Sequence, residues 1–319
     1  MWSSAWWNFV TRRCEKQSMQ SNRVRRTLVV LVTAVAWLGL TGVALAQEED
    51  ESKSIKAEVF IKDRQAAPKR TRPAGRYKPA PRLINEINSA PPPGTSFAEV
   101  GVTFWRFRPA TAADKTKELV EEADNRTTEW TLERIEEGTP LAPGQRVRLS
   151  VESLTRSGYL YVIDREQYAD GTLGEPSLIF PTQRSRDRNY ARAGRLIDIP
   201  SATGRFNIKP SDGPKVHVGE LLTLLVSSQP LIDPNELQAK AIKLPRQQVE
   251  SWEKQWGARS TKFELEGGAG LPMTEKEQAA RNNNAQELTQ DDPAPQTVYR
   301  MAIKTSDSIV LSVPLRFRR

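Results

Sequence analysis

Ile309-Val310-Leu311-Ser312-Val313-Pro314-Leu315-Arg316-Phe317 is the stretch that decides the fold. Ile309, Leu311, Val313, Leu315 and Phe317 alternate strictly with Val310, Ser312, Pro314, Arg316 and, one residue on, Arg318. A period of two sets the first group on one face of a pleated strand, toward a core, and the second on the opposite face. Proline has no N–H to give a neighbouring strand, so Pro314 assigns this strand to a sheet edge.

The same alternation recurs upstream, where Val147, Leu149 and Val151 interleave with Arg146, Arg148 and Ser150. Gly158 to Ile163, Ser177 to Phe180, Leu196 to Ile199, Arg205 to Lys209 and Val218 to Ser227 read as further strands. Turn chemistry separates them at Pro140 to Gly144 and at Ala169-Asp170-Gly171. Val100 to Arg108 and Glu129 to Ile135 add two more strands. Between these two, the polar stretch Thr111 to Arg126 opens on a capping-box pattern, Thr111-Ala112-Ala113-Asp114, and reads as a surface helix set in a loop. Many short strands divided by turns predict an all-β chain built as an antiparallel β-sandwich.

After Gln229 the pattern changes. Asp233-Pro234-Asn235-Glu236 is a helix start, and Leu244-Pro245 opens another. Val249, Trp252 and Trp256 share one face of that second helix, and Gly257 stops it. Glu266 to Pro295 is rich in Gly, Asn, Gln and acids and reads as flexible. Thr297 to Lys304 then leads through Thr305-Ser306-Asp307 into the opening strand. These readings divide the chain into a leader (1–46), a disordered basic Pro-rich linker (47–95), the sandwich (96–230), a helical and flexible insert (231–296) and a C-terminal hairpin completing the sandwich (297–319).

The leader is defined by Arg25-Arg26, the apolar run Leu28 to Ala44, and Ala44-Leu45-Ala46 before Gln47, which is the layout of a secretory signal peptide. Met19 fits better than Met1 as its start, because Met19 to Arg26 is a short cationic n-region. The apolar run exceeds the usual h-region of about 7–15 residues, so an uncleaved single-pass anchor in the inner membrane is the alternative. Either way the body faces the non-cytoplasmic side, periplasmic or extracellular. The lone cysteine, Cys14, precedes the cleavage point, so no disulfide staples the exported part.

The formal charge is +8, but the leader holds six bases and one acid, which leaves 41 bases against 38 acids. The remainder is therefore no general polyanion binder. Its bases are concentrated. Lys62 to Arg82 carries eight against Asp63 alone, among four prolines, and reads as an extended spacer or an electrostatic tether to anionic envelope polymers or lipid head groups. The compartment argues against nucleic acid as partner.

Val147 to Val151, Gly158-Tyr159-Leu160-Tyr161-Val162, Leu178-Ile179-Phe180-Pro181, Ala193-Gly194, Ile199-Pro200, Gly204-Arg205-Phe206 and Glu220 to Leu225 follow one another in an ordered, spaced set. Over about residues 100–230 this set resembles the bacterial family called domain of unknown function 4384. The resemblance implies a compact β-rich module often found in exported or multidomain bacterial proteins. It carries over no catalytic residues.

Chemistry is sparse. His217, the only histidine, lies at a strand entry and reads as structural. With one histidine and no cysteine after the leader, ordinary zinc centres are excluded, and no cofactor is expected. Asp164, Glu166 and Asp170 flank a hairpin without calcium-loop spacing and read as its solvated rim. Gly267-Gly268-Ala269-Gly270 lacks the Lys-Ser/Thr of a phosphate loop. Arg184, Arg186, Arg188, Arg192 and Arg195, with Asp187 as the one acid among them, form the best candidate anion contact. The Val249, Trp252 and Trp256 stripe is a candidate partner face. The expectation is a non-enzymatic envelope binding or scaffolding domain. The alternatives are an envelope hydrolase whose carboxylates converge only in the fold, and a membrane-tethered subunit that binds a partner through the tryptophan face.

Overall fold

The computed structural model describes residues 53–55, 60–66, 90–122, 126–185, 188–200, 204–281 and 287–318. The leader, most of the basic stretch and Arg186 lie outside them. The strands are β1 (Lys53–Ile55), β2 (Ser96–Pro109), β3 (Glu118–Glu121), β4 (Thr127–Ile135), β5 (Arg146–Ser153), β6 (Gly158–Tyr168), β7 (Ser177–Phe180) and β8 (Tyr190–Ala191). They continue as β9 (Ile197–Ile199), β10 (Phe206–Asn207), β11 (His217–Ser227), β12 (Ile242–Lys243), β13 (Ser260–Leu265), β14 (Thr297–Ile303) and β15 (Ile309–Arg316). A short 3-10 helix (Pro234–Glu236), capped by Asp233, and two α-helices, α1 (Arg246–Trp256) and α2 (Glu275–Ala280), complete the elements among the described residues.

The strands form two sheets. The first runs β1-β13-β14-β2-β4-β3, with β5 also on β2 and β9 and β10 on β5. The second runs β12-β7-β6-β11-β15, with β8 on β6. Pairing is antiparallel throughout, except that β1 lies parallel to β13. The chain is all-β, as the alternation predicts. Val100, Val102, Leu149 and Val151 of the first sheet share one core with Leu160, Val162, Leu222, Leu224, Leu311 and Val313 of the second. Pro314 sits on β15, at the end of the second sheet's strand order.

Five readings are corrected. Thr111 to Arg126 holds no helix among its described residues. Asp114 instead closes a turn by accepting from Thr111 and pairing with Arg108 at 2.7 Å, and β3 then pairs with β4. The last two strands are not a hairpin: β14 joins β13 and β2 in the first sheet, while β15 crosses to β11 in the second. The turn chemistry is the same for both outcomes, so it could not tell them apart.

The segment 231–296 is not an addition outside the sandwich, since β13 is a strand of the first sheet. Nor is Glu266 to Pro295 a flexible stretch throughout, because Met273, Glu277, Ala280, Leu288 and Ala294 are buried. Thr274 and Glu277 form a full capping box on α2, and Glu277 pairs with buried Arg134. Finally, 47–95 is not wholly a linker. Phe60 packs on Phe263, and the Arg64 side chain is buried on Glu152.

Candidate functional site

Two inward-facing rows of the second sheet change character at the same end. On β6 the row runs Leu160, Val162, Asp164, Glu166, and on β11 it runs Val226, Leu224, Leu222, Glu220. The pairing sets Leu222 opposite Asp164 and Glu220 opposite Glu166. Apolar core therefore gives way to carboxylates where the two sheets open. A small pocket of about 100 Å³ lies there, lined by Asp164 and Glu220 together with Ile179, Leu222, Phe206 and Phe317. Lys209 also lines it and is exposed.

The Asp164 and Glu220 side chains approach within hydrogen-bonding range of each other. As two carboxylates they cannot complete that bond, and Asp164 Oδ1 and Glu220 Oε2 are then buried with no donor. One shared proton supplies it. Burial, reinforced by the charges of Asp164 and Glu166, pushes Glu220 well above the usual carboxylate range. Burial also raises Asp164, against the hydrogen bond from Glu220 and the nearby His217 and Lys243. Two like groups this close share a proton rather than ionise together.

Neighbouring side chains fix the pair. Tyr168 donates its hydroxyl to Glu166. The Nδ1 of His217 accepts from the Ser211 N–H at 2.9 Å, so Nε2 carries the proton and donates to the Gly219 carbonyl at 2.8 Å. Nε2 also lies 3.2 Å from Glu220 Oε1. Gly219 itself is demanded by the fold, since a Cβ there would come within 2.1 Å of the Leu315 carbonyl oxygen. His217 is thus a positioning residue at a strand entry. Asp164 is not the solvated hairpin rim expected of it. It lies two residues beyond Val162 on β6 and so shares the inward face of that buried valine.

The arginines are partly spoken for. Arg184 and Arg188 are exposed, and Arg192 pairs with Glu287. Arg195 is half-buried, within electrostatic reach of Arg188, Arg192 and Glu287, and burial lowers its pKa. The structure therefore brings Arg188, Arg192 and Arg195 together, but with an acid among them.

The Val249, Trp252 and Trp256 stripe is not offered to a partner. Val249 is buried, and both tryptophans pack against a cluster with Tyr161, Ile163, Leu178, Leu225 and Val310 on the outer side of the second sheet. Helix α1 covers this sheet face because the odd-numbered residues of β6, Tyr161 and Ile163, are apolar as well.

Among the described residues no helix is long and apolar enough to cross a membrane, and no three His, Cys, Asp or Glu side chains cluster to hold a metal ion. Sequence reasoning misses the acid pair, although Leu160-x-Val162-x-Asp164 and Glu220-x-Leu222-x-Leu224 both carry its signal. No family model, curated protein or solved structure matches the chain.

Proposed function

We propose that this chain is an exported, non-catalytic binding domain of the bacterial cell envelope, akin over residues 100–230 to domain of unknown function 4384, and that the pocket at the open end of its sandwich is the binding site. The observation that supports this reading is the Asp164–Glu220 pair, which lines a small pocket with apolar walls, a few convergent polar groups in an apolar concavity being the usual make-up of a ligand site. Side-by-side carboxyls suit recognition better than sugar cleavage, which needs carboxyls separated by about 5–9.5 Å. The test is crystal soaking with a chemically mixed fragment set. Fragments seated between Phe206 and Phe317 are the expected result, and an empty pocket with hits elsewhere overturns the assignment.

The exposed Arg184 and Arg188, with Arg186 between them in sequence, add a weak contact to anionic envelope polymers. Changing these three to Ala is expected to weaken polymer pull-down by about 1 kcal/mol per arginine, and raising the salt is expected to do the same in wild type. Salt-independent capture contradicts this part.

A second reading, an envelope hydrolase, is favoured by the proton-sharing pair itself, because such a pair can activate water at an electrophilic carbonyl. Turnover of peptide or ester substrates that vanishes in Asp164→Asn would replace binding by catalysis.

A further inference from the structure

Three carboxylates buried elsewhere among the described residues differ from Asp164 and Glu220. Glu152 is held by Arg64, Glu277 by Arg134, and Asp198 by Arg281. Each of these acids, taken from water, has a guanidinium of this chain as its partner, which is the ordinary condition for burying a charge. Asp164 and Glu220 have no arginine or lysine ion pair among the described residues. Their only basic contact is the imidazole of His217 on Glu220, and its proton already goes to the Gly219 carbonyl. Beyond the proton the pair shares, Oδ1 of Asp164 and Oε2 of Glu220 receive no donor from the described chain, and both residues line the pocket. The pair's single negative charge thus has no Arg or Lys in ion-pair contact among the described residues, and it faces a pocket in which a cation can sit.

Resting on the reading of this pocket as the binding site, we infer that it takes a small organic monocation: an ammonium group received by the Asp164–Glu220 pair and an apolar body received by Phe206, Phe317, Ile179 and Leu222. A pair that holds one proton keeps a single negative charge, which a single ammonium in the pocket balances. Aromatic walls favour a cation with attached carbon over a bare hydrated ion. Lys209 lines the same pocket and repels a second positive charge, so dications and divalent metals are disfavoured. Uptake requires the pair to be ionised once, so binding strengthens as pH rises from acid to neutral. Glu166, Tyr168, His217, Lys209 and Lys243 are the other titratable groups near the pair that set this balance.

The test uses the full chain and four probes: phenethylammonium, its neutral counterpart 2-phenylethanol, 3-phenylpropionate, and calcium. Affinities come from calorimetry, and the site from the ring proton shifts of Phe206 and Phe317. Phenethylammonium is expected to bind about tenfold or more tightly than the alcohol, with phenylpropionate and calcium weaker still. Asp164→Asn/Glu220→Gln is expected to erase the preference for the cation while retaining the fold, because it removes buried charge. Phe206→Ala, which leaves the pair intact, is expected to weaken ammonium and alcohol alike. Equal binding of ammonium and alcohol, or a preference for the acid, overturns the ligand class while the pocket still stands as a site. Ring protons that none of the four probes perturbs overturn both.

Discussion

Glu152→Ala is expected to cost about 3–5 kcal/mol of folding stability, read as a lower urea midpoint with the slope unchanged. The Glu152 side chain is buried and accepts from Arg64 through two oxygens, at 2.8 and 2.6 Å, and from the Gly194 N–H at 2.6 Å. Arg64 in turn donates to the carbonyls of Thr289, Asp292 and Pro293. One ion pair thus ties the segment 60–66, the turn at Gly194 and the stretch before β14 to the middle of the first sheet. Truncating the acid leaves a guanidinium in the interior without its counter-charge, and that uncompensated charge is the source of the cost. Arg64→Met/Glu152→Leu is expected to recover most of the loss, since replacing both partners by apolar groups leaves no orphaned charge. A Glu152→Ala chain as stable as wild type would mean that 60–66 is not docked in solution.

Glu220→Gln is expected to make the protein more stable than wild type by about 1–3 kcal/mol near pH 9, with the difference vanishing toward pH 4. The sign follows from linkage. Glu220 is raised above its unfolded value, so the folded state holds the proton more tightly. The stability this confers is complete below the ordinary carboxylate range and is lost as pH rises through the folded value. Glutamine cannot ionise, so the variant escapes the alkaline loss. The magnitude is kept modest because the Glu220 side chain is 21 % exposed and shares its shift with Asp164. Glu99 and Glu264, both pushed up to about 7 by burial, add their own slope to wild type and variant alike. The difference between the two melting profiles therefore isolates the Asp164–Glu220 pair. Parallel profiles across the range would show that the Glu220 carboxyl is not held protonated.

Much of the architecture is legible in the alternation of single strands. Val147 to Val151 and Ile309 to Phe317 each announce one buried face, and Pro314 announces an edge. What resists reading is polar material that the fold satisfies internally. Glu277, Arg281 and Thr274 look like loop composition. In the fold, Thr274 and Glu277 cap α2, Glu277 neutralises Arg134 and Arg281 neutralises Asp198, across long sequence separations. Arg64 looks like one more solvated base in a cationic run until Glu152 is brought to it. The strand at Glu118–Glu121 is short and polar, and only its pairing with β4 makes it a strand. The acid pair belongs to the same class. Each carboxylate ends an apolar row in its own strand and reads alone as a rim residue. Only the β6–β11 register, which sets Glu166 against Glu220, brings Asp164 and Glu220 together beside Phe206 and Phe317.

Those two carboxyls act as one unit in the binding site, and side-chain carboxyl carbon NMR across a pH titration of the full chain tests this most directly. The expected result is two coupled steps, with Asp164 and Glu220 both responding to each and one proton still held by the pair at neutral pH. Two independent titrations in the ordinary carboxylate range, near about pH 4, would contradict it.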